Sequence, residues 1–215
     1  MDGKALLLLS GGFDSPVAGH LMRRKGLDVL ALHVSLEPVT DDASVTKATR
    51  LAAELGFRGL YVVRAGDAFK EIVKRTRHPW YFVLSKRLMM RVASEVARRE
   101  GCAYLITGES IGQVSSQTLA NLAVIDKAAS VPVLRPLIGF DKREIIDRAK
   151  ALGTYDISAG PELCDVLGPE HPRTRATREE VSREEALLDI EALDKQVLGT
   201  LASVDIAARL LEVPG

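Results

Sequence analysis

The chain has 215 residues, of which 47% are hydrophobic, which suits one well-cored domain and is short for two. Lysine plus arginine and aspartate plus glutamate each number 29, so the net charge is zero, which excludes a globally basic nucleic-acid-binding protein. The two cysteines lie far apart, and no apolar run is long enough for a signal peptide or a membrane span. We therefore expect a reducing, cytoplasmic environment and no membrane association.

Short apolar runs alternate with amphipathic stretches along the chain. The predicted strands are 4–9, 28–34, 60–63, 103–107 and 131–134. The predicted helices are 16–25, 42–55, 67–74, 80–99, 115–126 and 141–152. This alternation predicts an α/β fold with a doubly wound parallel sheet of five strands. Ligands of such sheets bind beyond the carboxyl ends of the strands, where the strand order reverses.

The last part of the chain, from about residue 170, is richer in charged, helix-forming residues. We interpret residues 170–215 as a helical C-terminal appendage of one domain covering 1–215, with the apolar stretch 204–211 packed back on the sheet. The alternative is a partly disordered tail.

The first predicted strand leads into residues 10–15, Ser-Gly-Gly-Phe-Asp-Ser. Ser15 is a candidate helix cap and Pro16 suits the first helical turn, so this segment ends at a helix N-terminus. Backbone N–H groups and the helix dipole favour phosphate there, and the two glycines allow close approach. Asp14 beside a phosphate is explained if magnesium bridges them. The alternative is an ordinary strand–turn–helix corner with small polar residues.

Residues 10–15 resemble the pyrophosphate loop of the ATP pyrophosphatases. Members of that family split ATP between its α and β phosphates and adenylate a carbonyl oxygen of the substrate. The common nucleotide motifs G-x-x-x-x-G-K-[ST] and G-x-G-x-x-G are absent from this part of the chain.

Polar residues at other predicted strand ends are further candidates. His33 ends the second strand, where it is either a packed residue or a nucleotide contact. In the long helix, Lys86 shares an apolar stripe and is a phosphate or ribose contact or a snorkelling lysine, whereas Arg87 lies on a predicted solvent face. Gln117, placed in the first turn of a helix capped by Ser115 or Ser116, is a contact or merely part of a polar loop.

Four ordered segments resemble the tRNA 4-thiouridine synthetases, which are tRNA sulfurtransferases. They are Gly108–Thr118, Leu134–Lys142, Pro161–Cys164 and the tail from Pro172 to Asp205. The resemblance covers the pyrophosphatase domain of that family and implies the adenine nucleotide alpha hydrolase type of fold. The RNA-binding region that precedes this domain in fuller members, and the rhodanese domain that follows it in some, are expected to be absent.

The resemblance assigns roles by motif. Asp14 and Lys142 fall on the catalytic positions, Asp14 also holding magnesium through the pyrophosphate, and Cys164 falls on the cysteine that handles sulfur. The implied ATP contacts are Leu8, Leu9, Ser10, Gly11, Gly12, Phe13, Ser15, His33, Val34, Lys86, Gly108 and Gln117. Cys102, at a strand start, is interpreted as a small buried hydrophobe. Phe82 and Ser85 stand where relatives with an iron–sulfur cluster carry Cys-x-x-Cys, so no cluster is expected.

The implied reaction is ATP-dependent formation of 4-thiouridine in tRNA. The C4 oxygen of a uridine is adenylated, and sulfur from a cysteine desulfurase or from sulfide then replaces it. Because the chain is neutral, we expect a separate RNA-binding protein or domain, or a homodimer, to supply tRNA affinity. The alternatives are a pyrophosphatase that adenylates another RNA base or a small-molecule carbonyl, and a non-catalytic nucleotide-binding module.

Overall fold

The structure is a computed structural model that describes residues 3–111, 117–159 and 166–211. Its strands are β1 (Lys4–Leu8), β2 (Asp28–Ser35), β3 (Leu60–Arg64), β4 (Tyr104–Ile106), β5 (Val133–Leu134) and β6 (Ala202–Val204). Its helices are α1 (Asp14–Arg24), α2 (Ala43–Glu54), α3 (Gly66–Arg75), α4 (Tyr81–Glu100), α5 (Leu119–Asp126), α6 (Lys142–Ala151), α7 (Tyr155–Ser158), α8 (Arg178–Glu185), α9 (Ile190–Leu198) and α10 (Ile206–Leu211). A 3₁₀ turn, His78–Trp80, precedes α4.

The sheet order is β5-β4-β1-β2-β3-β6, and the first five strands are parallel. The predicted doubly wound α/β fold is therefore confirmed. The sixth strand, β6, pairs antiparallel with the edge strand β3 and was not predicted. Its three residues are too few to give a readable pattern, and the tail was expected to be helical.

Two hydrophobic cores lie on the two faces of the sheet. Along β1, Leu6 and Leu8 belong to the core under α3, α4 and α9, whereas Ala5 and Leu7 belong to the core under α1, α2 and α6. This alternation is the two-residue period of a strand buried on both faces. Within the described ranges, no helix combines the length and the apolarity needed to cross a bilayer.

The C-terminal appendage corrects the prediction for Arg87. Arg87 donates from Nε and Nη2 to the two carboxylate oxygens of Glu185 in α8, at 2.8 Å each, and its side chain is only 13% exposed. Arg91 pairs with Glu185 at 3.1 Å and with Asp194 in α9 at 2.7 Å. The face of α4 that the helical pattern assigns to solvent is thus covered by the appendage.

Two predicted helix starts are also wrong. Helix α1 begins at Asp14, and its N-cap Phe13 makes no side-chain cap hydrogen bond, so Ser15 does not cap it. Helix α5 begins at Leu119 and is capped by Thr118, whose hydroxyl accepts from the Asn121 amide. Gln117 therefore precedes the helix, and the candidate caps Ser115 and Ser116 lie outside the described residues.

Candidate functional site

A cleft of about 890 Å³ opens at the carboxyl ends of β1 and β4, where the strand order reverses. This volume lies within the range of roughly 300–1,000 Å³ that small-molecule sites occupy. The cleft brings together thirteen of the predicted site residues, namely Leu8, Leu9, Ser10, Gly11, Gly12, Asp14, Ser15, His33, Val34, Lys86, Gly108, Gln117 and Lys142. Phe13 does not line it, and Cys164 lies outside the described residues.

The pyrophosphate loop (residues 10–15) is held by its own serines. The Ser15 hydroxyl accepts from the Ser10 amide at 2.9 Å and lies 3.0 Å from the Ser10 hydroxyl. The Ser10 hydroxyl in turn accepts from the Gly12 amide at 3.3 Å. These bonds give the two serines a structural role, because they fix the turn between β1 and α1 before a ligand binds.

Close backbone approaches explain two glycines of the cleft. A Cβ added to Gly108 would lie 2.5 Å from the Ser15 nitrogen, so the end of β4 can pass the start of α1 only without a side chain. A Cβ on Gly11 would lie 2.7 Å from Cδ of Lys47, whose stem packs over the loop. The turn between β1 and α1 is therefore packed from both sides.

Asp14 and Lys142 meet at the mouth of the cleft. Lys142 Nζ lies 3.0 Å from Asp14 Oδ1, and the side chains are 48% and 24% exposed. Asp141 caps α6 in a capping box with Glu144, which places Lys142 at the first helical position. A pair this exposed adds little stability, so either partner is free to exchange the other for a phosphate or a metal ion.

Phe13, although outside the cleft, helps to place Lys142. Its ring stacks on Tyr155 at 5.1 Å between centroids, and Lys142 Nζ lies 5.7 Å from its centroid. Such a cation–π contact favours one position of the ammonium group. Phe13 thus packs beside Lys142 in the structure, and its nucleotide contact stays a prediction.

Glu109, which was not singled out from the sequence, is the centre of a buried ion cluster. Its carboxylate lies 2.8 Å from Lys86 Nζ and 2.7 Å from Arg135 Nε, and it accepts from the Thr107 hydroxyl at 3.1 Å. Burial works to raise the pKa of Glu109, but the charges of Lys86 and Arg135 prevail and lower it to about 2. The carboxylate is therefore ionised at neutral pH, and it holds Lys86 at the cleft wall.

The imidazole ring of His33 makes two hydrogen bonds that connect β2 with the end of β1 and with α2. Nδ1 lies 2.9 Å from the Leu9 carbonyl oxygen and Nε2 lies 3.0 Å from the Ser44 hydroxyl. Because a carbonyl only accepts, Nδ1 carries the proton and Nε2 of the neutral ring accepts from Ser44. Burial lowers the pKa of His33, which keeps the ring neutral. With both ring nitrogens engaged, only the backbone or the ring face of His33 is left for the predicted nucleotide contact.

Four further residues have mainly structural surroundings. Trp80 and Tyr81 are both buried in the core, and Tyr81 also lines the inner wall of the cleft. Cys102 is buried, and burial raises its pKa to about 11, consistent with an inert core thiol. Arg77 pairs with Glu184 at 2.5 Å, which offsets its positive charge.

A match to a protein-family model shows to which family the chain belongs. Residues 1–190 match the family described as "Thiamine biosynthesis protein (ThiI)". The chain belongs to the ThiI family. It is 40% identical over 210 residues to a probable tRNA sulfurtransferase of Finegoldia magna, covering 95% of this chain and 54% of that protein. It is 44% identical over 202 residues to one of Nocardia farcinica, covering 91% and 49% respectively.

A solved ThiI relative has the same fold. It is the crystal structure of a 4-thiouridine synthetase–RNA complex with bound ATP, which matches with a TM-score of 0.86 at 35% identity. The match covers 94% of this chain and 55% of that one. This chain thus spans about half the length of the curated relatives it matches.

The cleft side chains that the structure describes provide too few ligands to hold magnesium by themselves, but they suit a magnesium ion that is also bound by the phosphates of a nucleotide. Among the described residues, no three histidine, cysteine, aspartate or glutamate side chains are grouped as a metal site. Asp14 supplies one carboxylate at the pyrophosphate loop. Magnesium in nucleotide sites is commonly held by one or two carboxylates plus phosphates and water, so a single Asp14 fits that pattern.

Proposed function

We propose that this chain is the ATP-cleaving domain of a tRNA sulfurtransferase that forms 4-thiouridine in the cytoplasm. The observation that carries the proposal is the meeting of Asp14 and Lys142 beside the pyrophosphate loop, in the same cleft as Lys86 and Gly108. The membership of the ThiI family and the ATP and RNA bound by the solved relative support it.

The chemistry has two steps. The C4 oxygen of a tRNA uridine attacks the α phosphorus of ATP, and the bond to the β phosphate breaks to release pyrophosphate. Sulfur then attacks C4, the C4–oxygen bond breaks, and AMP leaves with that oxygen. Adenylation is needed because a carbonyl oxygen is a very poor leaving group, whereas AMP is a good one.

The residues divide this work by position. The loop 10–15 binds the phosphates through its amides and the N-terminus of α1. Lys142 gives up its contact with Asp14 to stabilise negative charge that develops on the phosphates. The freed Asp14 carboxylate is the group that would hold magnesium. The bound ion would neutralise phosphate charge. Lys86, held by Glu109, contacts the phosphates or the ribose.

Sulfur transfer and tRNA docking involve further groups. We propose one of two roles for Cys164. It accepts sulfur from a cysteine desulfurase as a persulfide, whose outer sulfur attacks C4 and expels AMP, and a second thiol then cleaves the S–S bond to Cys164. Alternatively, it attacks C4 of the adenylated base as a thiolate and expels AMP, and sulfide then displaces it from C4. The neutral chain and the ion-paired arginines favour tRNA docking by a separate RNA-binding protein or domain, or by a homodimer.

The products of ATP cleavage test the proposal. With magnesium, ATP and acceptor tRNA, the chain is expected to release AMP and pyrophosphate. Asp14→Asn keeps the shape of the side chain and removes its charge, so it should slow AMP formation by about a hundred- to a thousandfold, the loss typical of one transition-state contact. Release of ADP and phosphate would overturn the assignment. When sulfide is also supplied, AMP release without 4-thiouridine, read by mass spectrometry of tRNA nucleosides, would favour another carbonyl as substrate.

A further inference from the structure

A third lysine of the cleft, Lys47, has no role in the mechanism above. It lies on α2, is half-buried, and lines the cleft. Its aliphatic stem packs against Gly11, where Cδ stands 2.7 Å from the place of an added Cβ. Its ammonium group donates to the carbonyl oxygen of Ser158 at 3.4 Å, close to the upper limit for a hydrogen bond.

The three cleft lysines differ in their charge partners. Lys86 lies 2.8 Å from Glu109, and Lys142 lies 3.0 Å from Asp14. The ion pairs of residues 3–111, 117–159 and 166–211 include none with Lys47. Among the residues that the structure describes, carboxylates therefore offset two of the three positive charges, while the charge of Lys47 is offset only by a carbonyl dipole.

The surroundings of Lys47 tie it to the pyrophosphate loop. Ser158, which accepts the lysine's hydrogen bond through its carbonyl, also donates its hydroxyl to the Gly12 carbonyl at 3.3 Å. Helix α7 thus fixes the ammonium group next to two consecutive loop glycines. In the described part of the chain, Lys47 is a half-buried cation without a carboxylate partner, and it lies beside a phosphate-binding turn. Such a cation suits an anion with several negative oxygens better than a neutral ribose.

We propose that Lys47 binds the pyrophosphate portion of ATP and the pyrophosphate product. This inference rests on the proposed function and adds a residue to it. Lys47 meets the phosphates at Gly11, whereas Lys142 meets them at Asp14. Because Lys47 gives up only a long bond to a carbonyl, it holds the leaving group without first breaking an ion pair.

Calorimetric titration of the full chain with ATP, pyrophosphate or AMP, each with magnesium, tests the role of Lys47. Lys47→Met keeps the stem that packs on Gly11 and removes the charge. It should weaken ATP and pyrophosphate binding by about tenfold or more, the usual cost of a lost charged hydrogen bond, and leave AMP binding unchanged. Lys47→Arg should restore most of the affinity. The matched control is Lys74→Met, which changes an exposed lysine of α3 outside the cleft and should bind all three ligands normally.

The outcomes separate the inference from the function on which it rests. Wild-type affinities for ATP and pyrophosphate in Lys47→Met, or an equal loss for AMP, would overturn the role of Lys47 and leave the proposed function standing. If the wild-type chain bound neither ATP nor pyrophosphate, the proposed function would fail and the inference with it. Should Lys47→Met not fold, Lys47→Gln provides the same comparison.

Discussion

Two neighbouring residues of α4 face different parts of the molecule. Lys86 reaches the cleft, where it pairs with Glu109 and lines the ligand volume. Arg87 points to the other side and binds Glu185 of the appendage with two 2.8 Å hydrogen bonds. Both are cations in partly buried ion pairs, with side chains 22% and 13% exposed.

The difference lies in what each cation can still contact. Lys86 borders an open cleft, so its ammonium group can donate to Glu109 and to a ligand at once. Arg87 also donates to the Val124 carbonyl, so each of its three guanidinium nitrogens donates to an acceptor of the protein. We therefore expect the Lys86 pair to serve ligand binding and the Arg87 pair to serve stability.

The largest effect is expected when Glu109 loses its charge. Glu109→Gln leaves Lys86 and Arg135 in the cluster without the shared carboxylate, and removing one partner of a buried pair costs about 3–5 kcal/mol. Urea unfolding measures this loss. In Glu109→Gln with Lys86→Met the loss should be smaller than the sum of the single losses, because the two residues contact each other. Additive losses would contradict the pairing.

Acid should lower the free energy of unfolding by protonating the same carboxylate. The pKa of Glu109 is about 2 in the folded chain, below its unfolded value of about 4.3. Because the folded pKa is the lower one, the ionised carboxylate stabilises the fold at any pH above its unfolded pKa. This stability is lost as the pH falls from about 4.3 towards 2. The loss is on the order of 3 kcal/mol. Unfolding at several pH values should show this slope in the wild type, and a flatter slope in Glu109→Gln.

Exchanging Lys86 and Arg87 for methionine, one at a time, compares the two faces of α4 directly. Arg87→Met should lower the free energy of unfolding by about 1.5–3 kcal/mol, as expected for hydrogen bonds between charged groups, and leave ATP affinity unchanged. Lys86→Met should weaken ATP binding by about tenfold. Calorimetry with ATP and urea unfolding are to be run on both variants. Equal ATP affinities in the two variants would remove the functional distinction.

The cysteines give the smallest expected change in stability. Cys102→Ser places a hydroxyl in a buried position, so it should cost about 1–3 kcal/mol and leave sulfur transfer intact in the folded fraction. Cys164→Ser should instead lower 4-thiouridine formation and spare AMP release. The readouts are thiolated nucleoside and AMP in the same reaction. Full thiolation by Cys164→Ser with sulfide as donor would show that the thiol is dispensable.

The sequence predicts the parallel sheet well because strands such as β1 are uninterrupted apolar runs between turn residues. It also predicts that the strand ends 10–15 and 107–117 lie at the same edge of the sheet, since parallel strands expose their carboxyl ends together. Arg87 could not be placed, because helical periodicity on α4 does not reveal that α8 and α9 cover the same face. Glu109 was missed because its partners, Lys86 and Arg135, come from distant parts of the chain.

The path of one oxygen atom tests the central claim most directly. If the cleft adenylates the C4 oxygen of uridine, a tRNA labelled with oxygen-18 at that position should yield AMP that contains the label, together with unlabelled 4-thiouridine product. Mass spectrometry of the released AMP measures the transfer, and the Asp14→Asn variant gives the background. Labelled AMP in step with thiolation is the predicted result. Thiolation that releases only unlabelled AMP would contradict the account.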